Sequence, residues 1–192
     1  MDLHKTDSEF MERFEQFAFD EVVNEKGQQL PEHTRYLVIL ATLIGCGGLD
    51  VYKEMLPKAL DNGMTPIEVK EIVYQATDYL GYGRILAFLH ATNDILSERG
   101  VELPLEGQAT TGSDNRLEKG IGAQAEIFGA HMREAWKAGH INRWLAANCF
   151  GDYYTRKGLD LAQRELITFC FLMAQGGCEP QLIAHSKGNM NM

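Results

Sequence analysis

The stretch Asn62-Gly63-Met64-Thr65-Pro66-Ile67-Glu68-Val69-Lys70-Glu71-Ile72-Val73 decides how the chain is read. Asn62-Gly63 closes whatever precedes it. Thr65, Pro66 and Glu68 then spell a helix start: a capping hydroxyl, a proline suited to the first helical position, and an acid that reaches back to the cap. Such a cap stabilises a helix by ~1 kcal/mol. Behind it Val69, Ile72, Val73, Ala76 and Leu80 fall at offsets of three and four, so one apolar stripe faces a core until Gly81 and Gly83 intervene.

Working outward, the same period governs the rest. Toward the N-terminus, Val51 to Leu60 make a short helix. Before it, a helix begins after Pro31 and carries Leu37, Leu40, Leu43 and Ile44 to the stop at Gly45 to Gly48; its near-continuous apolar content makes it central. Ser8 to Val23 reads as an amphipathic first helix with Phe10, Phe14 and Phe17 on one face, ended by Gly27. Toward the C-terminus, Arg84 to Ser97 is helical. Pro104 to Arg116, rich in Gly, Thr, Ser, Asp and Asn, has the composition of a surface linker. Leu117, Ile121, Ala125, Phe128, Met132 and Trp136 predict one long amphipathic helix, and Ile141, Trp144 and Leu145 begin another. No stretch alternates at period two for long enough to make a sheet, so the chain is expected to be all-α.

Composition narrows the function. With 192 residues, 45% of them hydrophobic, the chain closes a real core, as one compact domain or two small fused units. A net charge of -9 without a basic run argues against a nucleic-acid partner. Met1 to Glu9 is polar, and no apolar stretch approaches the ~20 residues of a membrane span, so a cytoplasmic protein without membrane contact is expected. Cys46, Cys149, Cys170 and Cys178 form neither a Cys-x-x-Cys pair nor a zinc-type spacing with histidine. Cys46 lies just before a glycine turn and is expected to pack in the core. His131 and Glu134 share a helix face but lack the second Glu and His of a carboxylate-bridged site, so neither metal nor other cofactor is expected.

The chain also matches itself. Setting Arg35 against Arg164 pairs Leu37 with Leu166, Leu43 with Leu172 and Gly47-Gly48 with Gly176-Gly177; Val38 faces Ile167 and Asp50 faces Glu179. The agreement follows a helix and its glycine turn, as a duplication does.

Arg35-Tyr36-Leu37-Val38-Ile39-Leu40-Ala41, then Ala59-Leu60-Asp61-Asn62-Gly63-Met64-Thr65-Pro66-Ile67-Glu68-Val69, then Tyr79-Leu80-Gly81-Tyr82-Gly83-Arg84 resemble the successive hallmarks of a unit of the carboxymuconolactone decarboxylase and alkylhydroperoxidase D family. The resemblance covers about Leu30 to Leu96 fully and about Leu159 to Met192 as a first half only. It implies an alkylhydroperoxidase D-like helical bundle of tandem units: residues 1–103 with the first unit, a linker over 104–116, and residues 117–192 as a second unit lacking its C-terminal part, with truncation as the simpler account of the shortfall. The family's thiol peroxidases share a glutamate early on a helix, a Cys-x-x-Cys after the turn, and a histidine beyond. Here Glu165, Cys178 and His185 match, Gln181 stands for the second cysteine, and Tyr36 and Leu49 hold the corresponding places of the first copy.

Physical reasoning adds to this. Gly176-Gly177 and Pro180 place Cys178 at a helix N-terminus, where free amides and the dipole favour a thiolate. His185 is suited to proton transfer with Glu165 fixing its tautomer. On straight antiparallel helices Glu165 would sit ~15 Å from the turn and His185 ~8 Å, so the helices must cross or the side chains must reach. Arg164, Arg156 and Lys187 are candidates for a local basic pocket. Three functions compete: cofactor-free proton chemistry on a small carboxylated lactone through Glu165 and His185; hydroperoxide reduction through Cys178 with an external thiol reductant; and a non-catalytic helical assembly subunit. A small-molecule substrate and a homo-oligomer are expected, the latter also implied by the resemblance.

Overall fold

The computed structural model describes residues 2–192. Contacts divide the chain into two compact units, residues 1–35 and 36–192.

In the first unit, α1 (Leu3–Thr6) is capped by the Asp2 side chain, which accepts from the His4 amide. The helix expected from Ser8 onward is α2 (Ser8–Gln16), widened into a π-helical turn at Phe17–Glu21 and completed by α3 (Val22–Asn24). Phe14 stacks on Phe10 at 6.3 Å and meets Phe19 edge-on at 5.9 Å. Phe10, Phe14 and Phe17 are all exposed.

α4 (Glu32–Cys46) leads into the second unit, followed by α5 (Leu49–Asp61), α6 (Pro66–Leu80) and α7 (Tyr82–Glu98). The capping box forms in both directions: the Glu68 amide donates to Thr65 Oγ1 (3.2 Å) and the Thr65 amide to Glu68 Oε2 (2.7 Å). The Val69, Ile72, Val73 and Ala76 stripe is buried as its spacing requires, but Glu71 and Gln75 on the same helix are buried too. α6 is therefore covered on more than one side. Next come α8 (Arg116–Phe128), α9 (His140–Trp144) running on as a π-helix through Leu145–Tyr154, α10 (Leu161–Gln175) and α11 (Glu179–Asn191). No strand occurs among the described residues. The fold is all-α.

α4 to α7 and α10 share the main core, which includes Leu37, Leu40, Tyr52, Leu56, Val73, Ile85, Ile167 and Phe171. A smaller core joins α8 to the π-helix through Ala123, Ile127, Cys149, Phe150 and Tyr154. Tyr79 packs against both. The two stretches that match in sequence each form a helix of 15 residues, a glycine turn and a helix of 13.

Three expectations are corrected. The long helix from Leu117 to Trp136 ends at Phe128, because Gly129 takes φ 104° and the chain continues in short 3-10 turns at Ala130–Arg133 and Ala135–Ala138. His131 and Glu134 consequently share no helix face, and Glu134 pairs with Lys137. Cys46 is exposed, not in the core: it is the last residue of α4, and its thiol reaches the Leu43 carbonyl at 3.6 Å. The 104–116 stretch lies inside the unit of residues 36–192. The Lys157 amide donates to Gln108 O (2.9 Å), while Thr110 and Thr111 hydroxyls donate to the carbonyls of Thr155 (2.7 Å) and Gly151 (2.8 Å). These bonds tie the polar stretch to the end of the π-helix, where carbonyls lack intrahelical partners.

α8 and the π-helix meet backbone to backbone. A Cβ on Gly120 would lie 1.8 Å from Ala146 O, so nothing larger than glycine allows this approach.

Candidate active site

α10 and α11 form a hairpin, and their crossing brings Glu165 and His185 together. His185 Nδ1 lies 2.5 Å from Glu165 Oε1. Both residues are buried, Glu165 fully. The close approach depends on Gly188, one turn beyond His185: a Cβ there would stand 2.4 Å from Glu165 Oε1 and 2.9 Å from Phe128 Cε1. Phe128 and Tyr79 hold the imidazole between them, each edge-on, with centroids 5.4 and 5.7 Å away. Asn189 secures the crossing by donating to Glu165 O (3.1 Å) and His185 O (2.9 Å).

The second carboxylate oxygen is also engaged. Tyr154, from the π-helix, donates to Glu165 Oε2 at 3.0 Å. With Glu165 ionised, His185 presents Nδ1–H to it and leaves Nε2 as a lone-pair acceptor, the arrangement of an oriented general base. Among the described residues no hydrogen-bond partner of Nε2 is found. Tyr154 also borders a cleft of about 620 Å³ that Lys119, Glu126, Arg133, Arg156 and Asp160 line. That volume suits a small molecule.

Cys178 stands apart. It is the N-cap of α11 and half-buried, but its thiol donates to Leu172 O at 3.3 Å and its sulfur accepts from Gln175 Nε2 at 3.6 Å. His185 stands seven positions further along, a rise of ~10 Å. The structure therefore joins two of the three expected residues. The basic-pocket reading is corrected for Arg164. Arg164 is fully buried and gives its guanidinium to Glu71 Oε2 (3.1 Å), Gln75 Oε1 (2.8 Å) and the carbonyls of Arg156 and Lys157. Arg156 clasps the same Glu71 with two nitrogens. Arg164 serves the α6–α10 crossing, while Arg156 ties the segment after the π-helix to α6 and also lines the cleft.

Residues 8–94 match the pattern of the carboxymuconolactone decarboxylase family. A 4-carboxymuconolactone decarboxylase of Acinetobacter baylyi is 30% identical over 99 residues, which cover 52% of this chain and 72% of that protein. The chain belongs to the carboxymuconolactone decarboxylase family. Within this family member, the matched stretch contains Tyr79 but not Glu165, Cys178 or His185. The site is thus built across the boundary of the matched region, with Tyr79 as the contribution from inside it. Sequence reading missed Tyr154 and Phe128 as neighbours of the pair. Tyr79 stood in a quoted family hallmark, which was its only signal; Tyr154 had none, because its role arises from a tertiary contact.

Proposed function

We propose that this family member is a cofactor-free, carboxymuconolactone decarboxylase-like enzyme that moves a proton at carbon in a small carboxylated lactone or related carbon acid. The observation that carries this reading is the buried 2.5 Å pair of Glu165 and His185, enclosed by aromatic rings and backed by Tyr154. Decarboxylation breaks one carbon–carboxylate bond, releases CO2, passes the electron pair into the conjugated lactone, and requires one proton at carbon. His185, once Nε2 has taken a proton from solvent, delivers it to that carbon and returns to the neutral ring, and Glu165 balances the imidazolium in between. A cytoplasmic setting, descent of the α10–α11 hairpin from α4–α5 by duplication, and self-association belong to the same proposal; the exposed Phe10, Phe14 and Phe17 support the last.

Hydroperoxide reduction through Cys178 is the second reading, supported by the place of that thiol at the N-terminus of α11. One experiment separates the two. CO2 release from 4-carboxymuconolactone and hydroperoxide consumption with a dithiol are both measured on the intact chain, Glu165→Gln, His185→Ala and Cys178→Ser. Proton chemistry predicts that His185→Ala loses roughly 10²- to 10⁴-fold of the lyase rate while Cys178→Ser retains it. Peroxide turnover abolished by Cys178→Ser, with no lyase activity in any form, replaces the proposal with the thiol reading.

A further inference from the structure

The Tyr154 hydroxyl has one hydrogen and three oxygen neighbours: Glu165 Oε2 at 3.0 Å, Thr168 Oγ1 at 2.8 Å and Tyr79 Oη at 3.0 Å. A carboxylate only accepts, so the Tyr154 hydrogen goes to Glu165, and Thr168 and Tyr79 must both donate to Tyr154. Thr168 is free to do so because it accepts from Gln75 Nε2 at 2.9 Å. Tyr79, committed to Tyr154, accepts in turn from the Cys149 thiol at 3.4 Å. Burial raises both tyrosine hydroxyls well above their ordinary range and pushes the Cys149 thiol up strongly, so all three groups keep their hydrogens. The Asp78 carboxyl is a second acceptor beside the same thiol, which has one hydrogen to give, so the Cys149 link to Tyr79 is the one that variants at Cys149 must test.

We propose that Cys149, Tyr79 and Tyr154 are positioning residues for the Glu165–His185 pair: a one-way train of hydrogen bonds that ends on Glu165, holds it as an acceptor, and so fixes His185 as the Nδ1–H tautomer with Nε2 as the free base. The inference rests on the reading of that pair as the catalytic one. It gives a buried cysteine a role as a hydrogen-bond donor rather than a nucleophile. It also ties a residue of the matched region to chemistry carried outside it.

The test uses the full chain with ¹⁵N-labelled histidine, observed by NMR, together with the lyase assay. Wild type is expected to show His185 protonated on Nδ1 and bare on Nε2. Tyr154→Phe keeps the ring against Phe150, 4.5 Å away, and removes only the hydroxyl. It should shift the Nδ1–H signal, mix the tautomers, and lower kcat/KM by roughly ten- to a hundred-fold, the loss of a hydrogen bond to a charged group, with KM little changed. Tyr79→Phe should move the signal in the same direction by less. Cys149→Ala should do so by less again, and Cys149→Ser, which restores a donor, should return it toward wild type. A folded Tyr154→Phe chain with unchanged nitrogen shifts and unchanged rate overturns the train. Cys149→Ser behaving like Cys149→Ala removes Cys149 from it. Tautomer shifts as expected in a chain with no lyase activity uphold the train and count against the function proposed above.

Discussion

Glu71 is the carboxylate on which two guanidiniums converge, and it is almost wholly removed from water. The pair it makes with Arg164 is not in itself a source of large net stability, since desolvating both charges offsets most of their attraction. Breaking it is another matter. Glu71→Ala leaves Arg164 charged and unpaired in the core and should cost about 3–5 kcal/mol in urea unfolding. Asp78 offers a second residue-scale test. Burial raises its carboxyl to about 6, so the folded chain holds a proton there that the unfolded chain releases near pH ~4. Stability from this group is greatest below pH ~4 and declines as pH rises through about 6. Cys149, Asp152 and Tyr153 surround it from the π-helix, with Asp152 paired to Arg116. Asp78→Asn should therefore raise the melting temperature at pH 7.5 and leave it nearly unchanged at pH 4. At this scale the sequence named Glu165 and His185 through a known pattern of residue types. It could not show that Arg164 was already claimed by Glu71, 93 residues away, because no spacing rule links residues so distant.

Helix phase was legible because apolar spacing and caps are local. The capping box can be weighed: Thr65→Ala should cost ~1 kcal/mol by thermal unfolding and leave the tautomer of His185 alone, since Thr65 touches nothing in the site. The irregular helices were not legible. The apolar period from Leu117 runs through Gly129 unbroken, and only the backbone conformation of that glycine ends the helix. The π-helix at Leu145–Tyr154 likewise has no mark in the sequence, yet it orders the site. Residues five apart on an α-helix point about 140° away from one another; bonding from i to i+5 brings them round to one side. Cys149 and Tyr154 are such a pair, and both reach Tyr79. The α10–α11 crossing gives a sharper test. Gly188→Ala pushes a methyl group into Glu165 and Phe128, which should destabilise the chain by about 1–3 kcal/mol and depress lyase turnover more than Thr65→Ala does at comparable stability.

For the molecule as a whole, the all-α class and the family were readable from one well-marked helix and its neighbours. A stretch with linker composition is held by the helix end it passes, because two of its hydroxyls donate to carbonyls there and the Gln108 carbonyl accepts from the Lys157 amide. The crossing of α6 and α10 has a further consequence, in time rather than in space. Gln75 and Arg164 are 89 residues apart, and Tyr79 and Tyr154 are 75 apart. Contacts of such long reach require most of the chain to be gathered first, and loop-closure entropy delays them relative to the helical hairpins. The hairpin α10–α11 can close locally and bring Glu165 to His185 early, whereas Tyr79 arrives only when α6 docks. During refolding, then, the acid–base pair should exist before its orientation is set, and helical signal should recover ahead of catalytic competence.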